Sequence, residues 1–264
     1  MFTHNSWRAI GDQNRNNDVI LTVDFTVTGR PEAGFAEMVG ELDSPYAVWE
    51  SLPPQIGDET GMNGEDYLNR WIEDLRESQA RVHAVFGYCA SSVFALALAD
   101  RISTWQECPR VVLFDPTAAT GETVLHYGFY RVVDALAAVL TPDEVLETRA
   151  AGASAQRTHD DLATLTAEFV RIYRDVGSTV FTRVGLEPDR AEELVDWFRS
   201  YMTYLVAASQ VSTFPDLSTV SIVRSADLPG ALELAAREVR FDVNHAGLLS
   251  LPEVAHAVRD LLTS

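Results

Sequence analysis

Residues 81–102, RVHAVFGYCASSVFALALADRI, join a strand pattern to a helix pattern through a short turn. The first part is a brief apolar run that stops at Gly87, which predicts a buried strand. The part that follows Cys89 is apolar on nearly every side, which predicts a buried helix. Cys89 itself falls at the turn. A buried strand leading directly into a buried helix is typical of a βαβ unit and predicts a parallel sheet.

The flanking sequence continues this alternation of strands and helices. Residues 110–115, RVVLFD, form the strand that completes the unit, and Pro116 ends it. Further strands are predicted over 18–27, 218–227 and 237–243. Helices are predicted over 32–42, 64–80, 230–236 and 252–264. Residues 1–17 are polar, and we expect them to be irregular. The fold class is therefore α/β, with a mostly parallel central sheet and helices on both faces.

Between residues 122 and 213 the pattern changes to long amphipathic helices with few strand signals. The helices are predicted over 124–140, 142–150, 159–175 and 188–208. A helical block of this size between strands favours an insertion over the sheet. We therefore predict a core of residues 1–121 and 214–264 and a helical lid of residues 122–213.

The composition excludes several classes of function. Among 264 residues, 39 are acidic and 20 are basic, and the net charge of −19 repels nucleic acid and anionic membranes. All the basic residues are arginine, so no lysine Schiff base can form. Two cysteines make neither a disulfide framework nor a zinc motif, and no sequence motif indicates a metal or a redox cofactor. Without a signal-peptide pattern or an apolar run of membrane-spanning length, we expect a cytoplasmic protein.

The turn Gly87-Tyr88-Cys89-Ala90-Ser91 is the candidate for chemistry. A nucleophile on a sharp strand-to-helix turn projects over the edge of the sheet, as in the G-x-S-x-G elbow. Here Cys replaces Ser, and Ser91 replaces the last Gly. The start of a helix favours a thiolate, and the backbone N–H of Ala90 is placed to stabilise an oxyanion. The alternative is a buried structural cysteine in a tight turn.

The partners of Cys89 are predicted from the ends of other strands. His245 follows the strand 237–243 and is the expected base. Asp115 ends the strand next to the elbow and is the preferred acid, but Asp227, at the end of a later strand, remains an alternative. The second oxyanion donor is expected after the first strand, where we choose the backbone N–H of Val27, although Thr26 and Thr28 are not excluded.

The order Cys89, Asp115, His245 resembles the thioesterases of polyketide and nonribosomal peptide assembly lines, which have the α/β-hydrolase fold. The likeness lies in residues 81–102, in VVLFDPTAATG (111–121) and in VRFDVNHAGLLS (239–250). A stand-alone chain with a Cys nucleophile is most similar to the Dieckmann cyclases that release tetramic acids.

This resemblance implies a β-ketoacyl-aminoacyl thioester as the substrate, delivered on a phosphopantetheinyl carrier protein. It implies that the enzyme has no cofactor of its own. Two other hypotheses remain: a thioesterase that hydrolyses or transfers carrier-bound acyl chains through Cys89, and a non-catalytic protein that keeps only the fold.

Overall fold

The strands that the structure describes form one seven-stranded sheet. The computed structural model describes residues 6–11, 17–25, 33–212, 219–226, 228, 232 and 237–263. The strands are β1 (Trp7–Ile10), β2 (Asp18–Val23), β3 (Ala47–Ser51), β4 (Arg81–Tyr88), β5 (Arg110–Phe114), β6 (Val220–Arg224) and β7 (Arg237–Arg240). Their order across the sheet is β1-β3-β2-β4-β5-β6-β7. Strand β1 is antiparallel to β3, and every other pair is parallel. The predicted mostly parallel sheet is confirmed.

Strand β4 occupies the middle of the sheet, between β2 and β5. Its residues from Ala84 to Tyr88 are buried, as expected for a strand covered on both faces. In its register with β5, Tyr88 pairs with Phe114. Cys89 and Asp115, the next residue of each strand, therefore leave the same edge of the sheet side by side.

Two strands were not predicted. Residues 1–17 were expected to be irregular, but Trp7–Ile10 form β1, so that prediction was wrong for these four residues. The Trp7 side chain is buried, and its Nε1 donates to the Trp71 carbonyl over 3.1 Å. Strand β3 was also missed. Both strands are short and include polar residues, so their pairing depends on long-range packing that a local pattern does not contain.

Helices cover both faces of the sheet, as predicted. On one face, α1 (Phe35–Leu42) packs with α9 (Pro252–Thr263) in a core cluster that includes Phe86 and Phe114 of the sheet. On the other face, α3 (Ser92–Ile102) lies against β2, β4 and β5 and contacts α2 (Gly64–Ser78). The short helix predicted over 230–236 lies outside the described residues except for Leu232.

The chain divides into two compact units, and the sheet belongs to the first. This unit comprises Met1–Pro53, Gly64–Ala118 and Gln210–Ser264, and the second comprises Pro54–Asn63 and Ala119–Ser209. The second unit thus includes Pro54–Asn63, which the sequence assigned to the core. That residues 122–213 serve as a lid stays a prediction.

The second unit is helical in its Ala119–Ser209 part. Its helices are α4 (Gly121–Thr123), a π-helical turn (Val124–Phe129), α5 (Tyr130–Leu136), α6 (Pro142–Thr158), α7 (Leu162–Arg183) and α8 (Pro188–Ser209). Helix α6 begins with a capping box, in which the Thr141 hydroxyl accepts from the Glu144 N–H. Helices α6 and α7 end eight residues later than predicted, at Thr158 and Arg183, and α7 begins three residues later than predicted, at Leu162. Within the part of the chain that the structure describes, no helix is long and apolar enough to cross a membrane.

Candidate active site

Cys89 lies on a strained turn at the end of the central strand. It directly follows β4, begins the helical turn Cys89–Ser91 and is followed by α3. Its φ of 50° lies in the left-handed region, which non-glycine residues seldom adopt. The side chain is partly buried, and the thiol is free of any disulfide. Strained backbone of this kind is concentrated at functional sites, and the turn matches the elbow predicted from residues 87–91.

The turn can form because residue 87 lacks a side chain. A Cβ at Gly87 would lie 2.7 Å from the Ala95 Cβ and 2.8 Å from the Ser92 Cα. Neither neighbour is the far end of a flexible side chain. An added methyl group would therefore fit only if α3 moved away from β4. Gly87 therefore permits α3 to pack close to β4 directly beneath Cys89.

We expect Gly87→Ala to destabilise the protein by about 1–3 kcal/mol, because the added methyl overpacks the strand–helix junction. Urea unfolding measures this loss. The matched control is Gly40→Ala in α1, where nothing lies within 4 Å of an added Cβ. That variant should be more stable by about 0.5–1 kcal/mol. Equal unfolding free energies for the wild type and Gly87→Ala would contradict the close approach.

Ser91 replaces the final glycine of the elbow motif, and the structure explains why serine fits. Its φ of −70° and ψ of −10° are helical values that any residue adopts. Its side chain is buried. The departure from the motif therefore leaves the turn intact.

Asp115 is held rigidly at the end of β5. It is fully buried and adopts a φ of 48°. One carboxylate oxygen, Oδ1, accepts the Ser225 N–H over 2.8 Å, and Oδ2 lies 2.7 Å from Nδ1 of His245. The backbone N–H of Thr117 donates to the Cys89 carbonyl over 3.3 Å, which links this loop to the elbow. Asp115 is therefore the carboxylate that lies within hydrogen-bond distance of the His245 ring.

His245 brings the third group to the same edge of the sheet. It begins the 3₁₀ turn His245–Ser250, which Asn244 caps by accepting the Gly247 N–H. The ring is 7% exposed. Nδ1 of the ring faces Asp115, and the His245 side chain is also hydrogen-bonded to the Cys89 side chain. The three side chains predicted from distant segments are therefore in contact.

The surroundings of His245 favour its protonated form. Burial by itself lowers the pKa of His245, but hydrogen bonds to Asp115 and Cys89, and the negative charges on both, raise it to about 9. These contacts therefore favour a positively charged imidazole next to the sulfur. An adjacent imidazolium is an arrangement that stabilises a reactive thiolate.

We expect the His245 ring to titrate near pH 9 in an NMR titration of ¹³C-labelled histidine. In Cys89→Ala the midpoint should fall, because loss of the sulfur removes one hydrogen bond and one negative charge that favour the cation. His83 is the internal control, since burial lowers its pKa below 6.5, and its midpoint should be the same in both proteins. An unchanged His245 midpoint in Cys89→Ala would show that the two side chains do not interact.

The remaining predicted site residues are placed as follows. Ala90 is buried in the first helical turn after Cys89, where the first N–H groups have no acceptor within the helix. Val27, Thr26, Thr28 and Asp227 lie outside the described residues, so the second oxyanion donor stays a prediction. Cys108 is exposed.

Sequence reasoning missed two contacts around the triad. One is the Ser225 N–H that binds Asp115. The other is Tyr88, whose ring stacks on His245 with centroids 4.7 Å apart and whose hydroxyl donates to the His245 carbonyl over 3.0 Å. Both join residues more than 100 positions apart, and no local pattern signals such pairs. Among the described residues, no three His, Cys, Asp or Glu side chains are grouped as metal ligands.

Comparisons with known proteins identify the fold. No protein-family model matches the sequence, and no curated protein is similar to it. Solved structures do match. The type II thioesterase BorB from the borrelidin biosynthetic cluster aligns over 100% of this chain and 99% of its own, with a TM-score of 0.56 and 13% identity. The Vlm2 thioesterase domain bound with a dodecadepsipeptide aligns over 98% and 97%, with a TM-score of 0.55 and 13% identity.

A third similar structure is holo-AB3403, a four-domain nonribosomal peptide synthetase. The match covers 94% of this chain but 19% of that protein, with a TM-score of 0.59 and 13% identity. Together with the strand order and the helices on both faces, these matches define the α/β-hydrolase fold. The predicted fold class is confirmed.

Proposed function

We propose that the protein is an acyl-transferring enzyme that takes an acyl chain from a carrier-bound thioester onto the Cys89 sulfur. The observation that carries this proposal is the contact series from Cys89 through His245 to Asp115, built on a left-handed turn at the end of the central strand. A nucleophile, a base and an orienting carboxylate in this order are the parts that acyl transfer needs. The thioesterases among the structural matches support the same class of substrate.

The first step is a thioester exchange. The Cys89 thiolate attacks the thioester carbonyl, and the resulting oxyanion is stabilised by the Ala90 N–H. When the carbonyl re-forms, the C–S bond to the phosphopantetheine arm breaks. His245 gives its proton to that departing sulfur. One thioester replaces another, so this step is nearly neutral in free energy, and the enzyme needs no cofactor of its own.

We propose further that the acyl chain is β-ketoacyl-aminoacyl and that it leaves by Dieckmann cyclisation. His245, now neutral, removes the acidic proton between the two carbonyl groups of the chain. The carbanion attacks the acyl-enzyme carbonyl, a C–C bond forms, the C–S bond to Cys89 breaks, and a tetramic acid is released. The thiolate and the imidazolium are thereby restored. Ring closure within one bound chain benefits from a high effective concentration.

Sulfur at residue 89 supports cyclisation over simple hydrolysis. A thioester is a better electrophile toward carbon than an oxyester, and a serine would serve hydrolysis equally well. The resemblance of the Cys89, Asp115, His245 order to the stand-alone cyclases points the same way.

The second candidate function is hydrolysis or transfer of carrier-bound acyl chains, and the matched structures favour it, since BorB is named a type II thioesterase. In this reaction water or a second thiol would attack the same acyl-enzyme. The partner in both cases is a carrier protein that presents its arm to Cys89.

Product analysis decides between the two. The enzyme is incubated with a β-ketoacyl-aminoacyl thioester, and the released products are weighed by mass spectrometry. Cyclisation releases the thiol without adding water. The cyclic product is therefore lighter than the linear acid by one water, which is 18 Da. A cyclic product that requires Cys89 supports the cyclase. The linear acid alone would overturn it in favour of hydrolysis.

A further inference from the structure

Tyr88 makes two contacts with one residue, His245. The two rings are nearly parallel, with an interplanar angle of 4° and centroids 4.7 Å apart. The Tyr88 hydroxyl donates to the backbone carbonyl of His245 over 3.0 Å. Tyr88 is itself fixed, since it is 3% exposed and ends the central strand in the core cluster. An immobile side chain thus touches both the ring and the backbone of the proposed base.

The contacts with Tyr88 restrict a tilt of the His245 ring that the hydrogen bonds to Asp115 and Cys89 still permit. The Asp115 carboxylate holds Nδ1 from one edge of the ring, at 2.7 Å, and Cys89 is hydrogen-bonded to the same ring. Contacts at the ring edge still permit the plane to tilt. A flat surface parallel to the imidazole prevents that tilt, and the bond to the carbonyl fixes the backbone from which the ring extends.

We infer that Tyr88 is a positioning residue for His245: its ring and hydroxyl together hold the imidazole between the Asp115 carboxylate and the Cys89 sulfur. This inference rests on the proposed acyl transfer through Cys89. Tyr88 itself does not touch the reacting atoms. It acts through His245, whose Nε2 must point at the sulfur in one step and at the substrate in the next.

The tyrosine ring also has an electrostatic effect on its neighbour. The face of an aromatic ring carries negative potential and attracts a cation placed over it. Asp115, Cys89 and the Tyr88 ring all contact the imidazole, and all three favour its protonated form. Removing the ring should weaken both the orientation and the charge of His245.

Two substitutions separate the ring from the hydroxyl. Tyr88→Phe removes only the hydrogen bond to the His245 carbonyl, and Tyr88→Leu removes the aromatic face as well. Both should melt at a lower temperature than the wild type, because both remove the hydrogen bond from residue 88 to that carbonyl. For Tyr88→Phe, we expect kcat with an acyl thioester to fall roughly threefold or less.

Only Tyr88→Leu should lose about 10- to 100-fold in kcat, with KM nearly constant, because the base is displaced from its partners. Its His245 NMR midpoint should also fall by about half a pH unit, since the cation has lost the aromatic face. If Tyr88→Phe and Tyr88→Leu gave the same kcat and the same midpoint, the ring would have only a packing role and the inference would be wrong.

A graded series covers the case in which Tyr88→Leu does not fold. Phenylalanine, 4-fluorophenylalanine, 3,5-difluorophenylalanine and pentafluorophenylalanine at position 88 have similar shapes but progressively weaker negative faces. The His245 midpoint should fall in that order, and a constant midpoint would overturn the electrostatic effect. The NMR titration needs no acyl substrate, so a failure of the proposed acyl transfer and a failure of the Tyr88 inference are distinguishable.

Discussion

Replacing Cys89 with alanine is expected to abolish turnover of an acyl thioester, with a fall in kcat of roughly 10⁴-fold or more. The sulfur is the atom that carries the acyl chain between the two half-reactions, and it is hydrogen-bonded to His245. The fold should be retained, because the Cys89 side chain is only partly buried and alanine fills the turn. Release of free thiol from the substrate gives the rate.

The matched control for this prediction is Cys108→Ala. Cys108 is exposed, and its thiol lies next to the carbonyl of Pro109, which it contacts over 3.7 Å. Its removal should leave kcat and KM unchanged. A further variant, Cys89→Ser, keeps a nucleophile at the elbow and should form the ring more slowly than the wild type, since the acyl-enzyme would then be an oxyester. Turnover by Cys89→Ala at a rate near that of the wild type would refute the role of the sulfur.

Asp115→Asn is expected to reduce kcat by roughly 10³-fold, with little effect on KM. Asparagine is nearly the same shape and can still accept the Ser225 N–H, so the buried site should remain packed. The neutral amide, however, no longer stabilises the imidazolium and can hold the ring in the wrong tautomer. The His245 NMR midpoint should therefore fall together with the rate, because Asp115 is one of the two groups that raise its pKa.

Asp227→Asn is the comparison that decides between the two candidate acids. It removes the negative charge of Asp227, the alternative acid that was predicted from the sequence. Oδ2 of Asp115 lies 2.7 Å from Nδ1 of His245. If Asp115 is the acid, Asp227→Asn should alter kcat by about twofold at most. The reverse result, in which Asp227→Asn is the damaging change, would assign the acid to the later strand.

The sequence was most informative where a local pattern coincides with burial. Residues 81–102 predicted the strand, the turn and the helix around Cys89, because a short apolar run, a glycine and an all-round apolar helix are local signals. Asp115 and His245 were predicted by the same means, since both follow strands whose carboxyl ends share one edge of a parallel sheet.

Other features depend on contacts that no local pattern contains. The edge strand β1 was missed because Trp7 becomes buried only against Trp71. Tyr88 was read as the variable residue of the elbow motif, and its stacking on His245 depends on a partner 157 residues away. Residues 54–63 were assigned to the core but belong to the second compact unit. Their glycines and prolines indicate a loop, and a loop pattern does not show to which unit the residues belong.

The most direct test of acyl transfer is to trap the chain on the protein. An acyl-aminoacyl thioester that lacks the acidic protons between its carbonyl groups can acylate the enzyme but cannot close a ring, so the acyl-enzyme should accumulate after rapid quenching. Intact mass measurement followed by peptide mapping is expected to find one acyl group on the peptide that contains Cys89, released by a small thiol. An unmodified protein, or an acyl group on Cys108 or Ser91 instead, would contradict the proposed chemistry at residue 89.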